Sequence, residues 1–336
     1  MQRGRDNLGN IAFVLVAAGT LWLLVQIGFV PQSLIDVVGT WWPLFLIGAG
    51  LDFMLPRYRP GRVPFTAVAC LVVVVLALLG FTRSTAVGTS QVVELGPNVM
   101  AADISLRFGS APATIGAADD DAFTARFVGQ PQGEVVSRQG PLTTITVRPL
   151  PGAGMSLLGR SHWDMYVPTR SPTRLTLIGS SGAVVADLTR VSLEDLVVDS
   201  GSGAFSADLP GVGTVYSAAV SGGSGHMEVR VAPGASVDME ARFRSGGGGL
   251  FVGEGTDMRL RLRTGSGAVS LDLPDTAPIR LRVADDGSGR LSVPGFLVRR
   301  SGTGDTGVWE SRNLEVGGRV IEVEIVAAGS GAITIR

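Results

Sequence analysis

Two patterns of apolar residues divide the chain. Before residue 83 they come in long unbroken runs; after residue 175 they alternate with polar residues between glycine-rich turns. The runs are Asn7–Ile35, Val37–Leu51 and Val63–Thr82, uncharged over 29, 15 and 20 residues. A membrane-crossing helix needs about 20 mostly apolar residues. The predicted helices are therefore 8–30, 34–55 and 64–81. The middle one reaches spanning length only with Asp36 and Asp52 near the two interfaces and Trp41 and Trp42 toward one of them, where indole is favoured. A re-entrant hairpin is the alternative for that segment.

The second pattern repeats. Its turns are 179–182, 200–203, 221–225, 245–249, 264–267, 286–289, 304–307 and 329–331, and their last glycines are 21, 22, 24, 18, 22, 18 and 24 residues apart. A period near 21 marks a stacked architecture. Two residues past each last glycine sit Val184, Phe205, Met227, Phe251, Val269, Leu291, Trp309 and Ile333, with polar residues such as Ser206, Glu228 and Ser270 next to them. Side chains on a strand alternate faces, so these eight are expected to point into a core. A second alternating run, such as Arg259-Leu-Arg-Leu-Arg263, fills many of the periods. Glycine is expected at the corners for its access to positive φ. The fold class predicted is an N-terminal α-helical transmembrane region followed by an all-β C-terminal domain, a β-solenoid-like stack of about eight repeats of about 21 residues. An antiparallel sandwich with glycine-rich hairpins is the alternative. The boundaries expected are a membrane region 1–83, a linker 84–90, a β segment 91–174 outside the period, and the repeat domain 175–336.

Charge adds orientation. All 28 basic residues are arginine, against 29 acids, and the net charge is -1. That removes the electrostatic case for a nucleic-acid partner. Arg3 and Arg5 precede the first run, and Arg57, Arg59 and Arg62 crowd the loop after the second, while the loop at 30–39 has none. The positive-inside rule places the N-terminus and the 56–62 loop in the cytoplasm, with Arg57, Arg59 and Arg62 at the membrane interface. Three spans put the β domain outside; two return it to the cytoplasm. The first run exceeds the core of a cleavable signal peptide and no Ala-x-Ala site follows it, which favours an uncleaved anchor. Cys70 is the single cysteine, so the β domain holds no disulfide and depends on its core.

Chemistry is sparse. His162 and His226 are the two histidines; Ser161, His162 and Asp164 are too close in sequence to read as a relay, because neighbouring strand residues face opposite ways. The Gly302–Gly307 stretch matches Gly-x-Gly-x-x-Gly, but no amphipathic helix follows to receive a phosphate. Asp119-Asp120-Asp121 reads as a solvated turn rather than a calcium loop. Asp187, Asp208 and Asp272 all fall five residues past the last glycine of their turns, a candidate outward row of carboxylates for cations or sugars, with a solvated face as the plainer reading. No catalytic residue, metal site or cofactor is predicted.

Asn10–Leu55, with Trp41-Trp42-Pro43-Leu44 leading to Ile47-Gly48-Ala49-Gly50, resembles the LiaI/LiaF-type transmembrane region. Ala102–Gly116 resembles the start of the β domain of LiaF-type proteins, and 175–336 the toastrack or adhesin-like repeat domain. This chain adds a third apolar helix to the paired region. The resemblance implies a bacterial envelope protein that regulates a two-component sensor kinase during cell-wall stress, with no catalytic residues carried over. The partners expected are the lipid bilayer and a membrane histidine kinase or other envelope protein. The localisation expected is the cell membrane, multi-pass, with the β domain extracytoplasmic. Adhesion to a surface, and carbohydrate chemistry on the Asp187, Asp208 and Asp272 row, are the competing functions.

Overall fold

The structure is a computed structural model that describes residues 89–336 apart from 97–98, 129–132, 151–161, 212, 214, 286 and 315–317. The expected membrane helices, Trp41, Trp42, Arg57, Arg59, Arg62, Cys70 and all but the last two residues of the linker lie outside the described residues.

Alternating sequences make strands throughout the described part. The first seven are β1 (Thr89–Glu94), β2 (Ala101–Gly109), β3 (Ala113–Ala117), β4 (Ala122–Val128), β5 (Gly133–Arg138), β6 (Leu142–Pro149) and β7 (His162–Val167). Then come β8 (Thr173–Gly179), β9 (Val184–Asp187), β10 (Leu193–Ser200), β11 (Phe205–Leu209), β12 (Val215–Gly222), β13 (Met227–Val231), β14 (Ser236–Phe243), β15 (Gly248–Val252), β16 (Asp257–Thr264) and β17 (Val269–Asp272). The last are β18 (Ile279–Val283), β19 (Leu291–Ser292), β20 (Leu297–Ser301), β21 (Gly307–Ser311), β22 (Ile321–Ala327) and β23 (Ile333–Ile335). They form two sheets. The front sheet runs β20-β21-β18-β22-β16-β14-β12-β10-β8-β2-β6-β5 and the back sheet β1-β4-β7-β3-β9-β11-β13-β15-β17-β23-β19.

From β8 to β17 the chain makes one circuit per repeat, a front strand and then a back strand, and each circuit pairs in parallel with the one before. One such rung cannot cover its own apolar face; stacking covers it. Leu196, Val198, Ala218, Val220, Met239, Ala241, Leu260 and Leu262 of the front sheet face Phe205, Ala207, Met227, Val229, Leu250, Val269 and Leu271 of the back sheet, all nearly fully buried. Each large member stabilises the fold by about 1.5–3 kcal/mol. The sheets continue unbroken below residue 174: β2 and β3 pair in parallel with β8 and β9, and β6 and β7 lie in parallel on their far side. The 21-residue period hides this because β4 and β5 intervene. They are antiparallel additions to the sheet ends, as are β1, β20 and β21. An edge-to-face aromatic group, Phe127 on Trp163 (5.0 Å) and Trp163 on Phe108 (6.2 Å), fills the core near the N-terminal end.

Three expectations about the repeat are corrected. The first concerns the corners. Gly182, Gly203, Gly225, Gly246, Gly267, Gly331 and Gly289 form one column, in which a Cβ on each would overlap the backbone carbonyl of the residue before it in the column, starting from Ala111. None of the seven has positive φ. The corners need glycine because stacked backbones touch there, not for its dihedral freedom.

The second concerns register at β15. The corner glycine is Gly246, not Gly249, so successive corners from Gly182 to Gly289 are 21, 22, 21, 21 and 22 residues apart. Gly248 therefore takes the inward position of Met227 and Val269, and Leu250 and Val252 are buried while Phe251 faces outward. A Cβ at Gly248 would overlap the Met227 backbone carbonyl and come within 2.9 Å of the Phe243 ring from the front sheet.

The third concerns order. The turn at 304–307 is no corner; it closes the antiparallel β20–β21 hairpin, and Trp309 is buried from that hairpin. The rung made of β22 and β23 does not follow it in space. It inserts between β16/β17 and β18/β19.

Candidate functional site

Parallel register turns each outward position into a row that crosses the sheet. On the back sheet one row reads Tyr166, Gly116, Asp187, Asp208, Arg230, Phe251, Asp272 and Arg336. The three aspartates thus share a row, but only Asp187 and Asp208 are neighbours. Arg230 and Phe251 separate them from Asp272. Arg230 pairs with Glu228, reaches Asp208 at 3.6 Å and stacks its guanidinium 5.3 Å from the centre of the Phe251 ring. Asp187 is engaged by its own loop, accepting from the Thr189 amide (3.1 Å) and hydroxyl (2.6 Å). The Tyr166 ring lies over Gly116.

A second row explains both histidines. Pairing runs His162, Pro112, Ala183, Ala204, His226, so the two imidazoles occupy one register position four strand spacings apart, about 19 Å. Each has an acid two residues on, hence on the same face. His162 Nε2 lies 2.8 Å from Asp164 Oδ1, and His226 Nε2 3.9 Å from Glu228 Oε2. Ser161 lies outside the described residues; strand alternation brings His162 and Asp164 together on one face, which their closeness in sequence had concealed. Thr114 Oγ1 also lies 3.2 Å from His162 Nε2. Acid and hydroxyl meet the same ring nitrogen, so no proton relay runs through the ring from one to the other.

The front sheet carries a lattice of opposite charges. Glu322 lies between Arg259 (3.5 Å) and Arg280 (3.7 Å), and Glu324 between Arg261 (3.7 Å) and Arg282 (3.9 Å). Glu310 joins Arg280 (3.1 Å) and Arg300 (3.3 Å), while Glu240 binds Arg242 (2.7 Å) and Arg263 (3.3 Å). The hydrogen bond from Arg242 holds the Glu240 carboxyl below the usual range, with help from Arg263 and Arg261. These groups are half exposed, so each pair contributes about 0–1 kcal/mol. Beside the lattice, and sharing Arg259 with it, lies an open groove of about 430 Å³, lined also by Glu194, Val215, Tyr216, Asp238 and Asp257.

The remaining motifs are structural. Asp121 accepts from the Ser171 hydroxyl (3.2 Å) and Asp119 pairs with Arg190 (3.1 Å). The Gly302–Gly307 turn takes two hydrogen bonds from Arg299 to the carbonyls of Gly304 and Thr306, and a strand follows it, not a helix. Among the described residues no three His, Cys, Asp or Glu side chains gather as metal ligands.

Comparison with known proteins bears on the other end of the chain. Residues 11–54 match the LiaI-LiaF-like transmembrane region. That match lies within one residue, at each end, of the resemblance carried by the Trp41-Trp42-Pro43-Leu44 segment, and it associates this chain with a membrane. No curated protein matches it. A crystal structure of a proposed cell adhesion protein from Clostridium sporogenes covers 74% of this chain and 98% of its own, at 18% identity and a TM-score of 0.36.

Proposed function

We propose that this chain is a non-enzymatic envelope protein in which a LiaI-LiaF-like membrane region carries a β-solenoid that regulates or scaffolds a membrane partner. The match at residues 11–54 carries the reading. The β domain supports it by what its surface offers. The charged side chains of β16, β18 and β22 on the front sheet pair with one another, and the outward rows form two extended faces suited to a protein partner. A sensor histidine kinase is the partner class that the membrane region implies. The arginines at 57, 59 and 62 favour a cytoplasmic loop there and a β domain on the outer side of the membrane.

Purification of the tagged full chain from its own cells in mild detergent tests this. Enrichment of a membrane histidine kinase, lost when only 91–336 is tagged, is the expected result. No kinase in the preparation, together with an unchanged envelope-stress response in cells lacking the chain, sinks the regulatory reading in favour of adhesion. Cysteines placed at Ser33 and Ser90 and probed in whole cells with an impermeant thiol reagent report the side of each.

A further inference from the structure

The rung out of order points to a binding site. The apolar core does not choose the position of β22, because Met258, Leu260 and Leu262 meet Ile321, Val323 and Ile325, which in turn meet Ile279, Leu281 and Val283. Direct pairing of β16 with β18 would bury an equally apolar set. The corner glycines do not choose either, since 265–267 and 287–289 are both Gly-Ser-Gly. The outward side chains distinguish the two orders. Without β22, Arg259 would face Arg280 and Arg261 would face Arg282; with it, one glutamate stands between the members of each pair. Like charges opposite one another on adjacent strands are unfavourable, and opposite charges favourable.

The back strand of the rung beyond the insertion is weakly held. β19 pairs with β23 at Leu291 and Ser292 alone. Leu291 is only partly buried, whereas Val184, Phe205, Met227, Val269 and Ile333 at the same position are at most 4% exposed. A packing gap between the two rungs is lined by Val283, Leu291, Ile325 and Ile333.

We infer that the slot between β16/β17 and β18/β19 is a strand-acceptor site for an extended segment alternating apolar and acidic residues, and that it takes this segment from a second copy of the chain as well as from its own residues 321–335. The four arginines read the acids, and the inward Leu260, Leu262, Leu281 and Val283 read the apolar positions. A second copy is the occupant because its β22/β23 matches the slot in register, charge and burial. Exchange between copies conserves every contact inside the slot.

The test uses two full-length versions in detergent, both Cys70→Ser, one carrying Arg261→Cys and the other Glu324→Cys. These positions are parallel neighbours, and strand spacing near 4.8 Å suits a disulfide. Mixed, warmed, cooled and oxidised, the two form a disulfide-linked heterodimer only if one copy's β22 enters the other's slot. The heterodimer is the expected result, reduced about fivefold or more by adding Glu322→Arg to the chain that carries Glu324→Cys. A synthetic 319–336 peptide with Glu324→Cys links to the Arg261→Cys chain in the same way. A chain carrying both cysteine substitutions shows, by an internal disulfide, that the slot has folded. An internal disulfide there with no linked dimer in the mixture overturns exchange; a dimer indifferent to Glu322→Arg overturns recognition by charge.

Discussion

At Gly203 a hydrogen atom is the only side chain that fits, because the Gly182 carbonyl of the rung below occupies the place of a Cβ. Gly255 is glycine for a different reason: its φ is +66° and open space surrounds it. The two kinds respond differently to substitution. Gly203→Ala and Gly203→Asn each lower the stability of the β domain by about 2–3 kcal/mol or more, since backbone must move, while Gly255→Asn, which tolerates left-handed φ, costs about 1 kcal/mol or less. Urea titrations followed by circular dichroism distinguish them, and equal losses at both sites would show that dihedral preference governs the corners after all. Tyr216 makes a second prediction at this scale. Its ring is buried and its hydroxyl donates to the Pro210 carbonyl at 3.2 Å, and burial pushes the phenol well above its ordinary value near 10. Its contribution is therefore complete below pH 10 and falls as pH rises past it. Tyr216→Phe loses about 1 kcal/mol at neutral pH but flattens the alkaline decline in melting temperature; an unaltered decline would mean that other groups cause it. Of these features, sequence made the glycines visible and left their reason hidden. The slip at β15 shows why. Four glycines in a row at 246–249 offer several registers, and only contact with the rungs on either side picks one.

Elements are secured by stacking in proportion to how many neighbours they have. β16 has a front-sheet neighbour on each side and Leu260 is fully buried, so Leu260→Ala costs about 2–5 kcal/mol. Leu291 lies on the two-residue β19 with β23 as its one back-sheet neighbour, and Leu291→Ala is expected to cost about 1 kcal/mol or less, because a partly exposed site forfeits less on truncation. Differential melting of the two variants measures this, and a loss at Leu291 as large as at Leu260 would place the end rung among the firm ones. The alternation in Arg259-Leu-Arg-Leu-Arg263 identified a strand with one wet face; Ile321-Glu-Val-Glu-Ile325, not singled out from the sequence, alternates in the same way. What it left open was that the basic strand and the acidic strand are partners, although all of β17 to β21 lies between them in the chain. Strand pairing over such distances depends on the competing pairings available, and β18 was an equally apolar competitor.

Across the whole molecule, amino-acid pattern by itself determined the membrane match at 11–54, the all-β character of the described residues and most of their inward positions. Those properties follow from transfer free energy and side-chain alternation, which act over a few residues and are written locally. Tertiary structure decided the rest: the antiparallel strands that end the sheets, the meeting of His162 with Asp164, the break in the aspartate row at Arg230 and Phe251, and the place of β22/β23. Each depends on which strand lies beside which. In a stack whose rungs present nearly interchangeable apolar edges and glycine corners, outward charges distinguish one order from another, and these act only between segments already brought side by side.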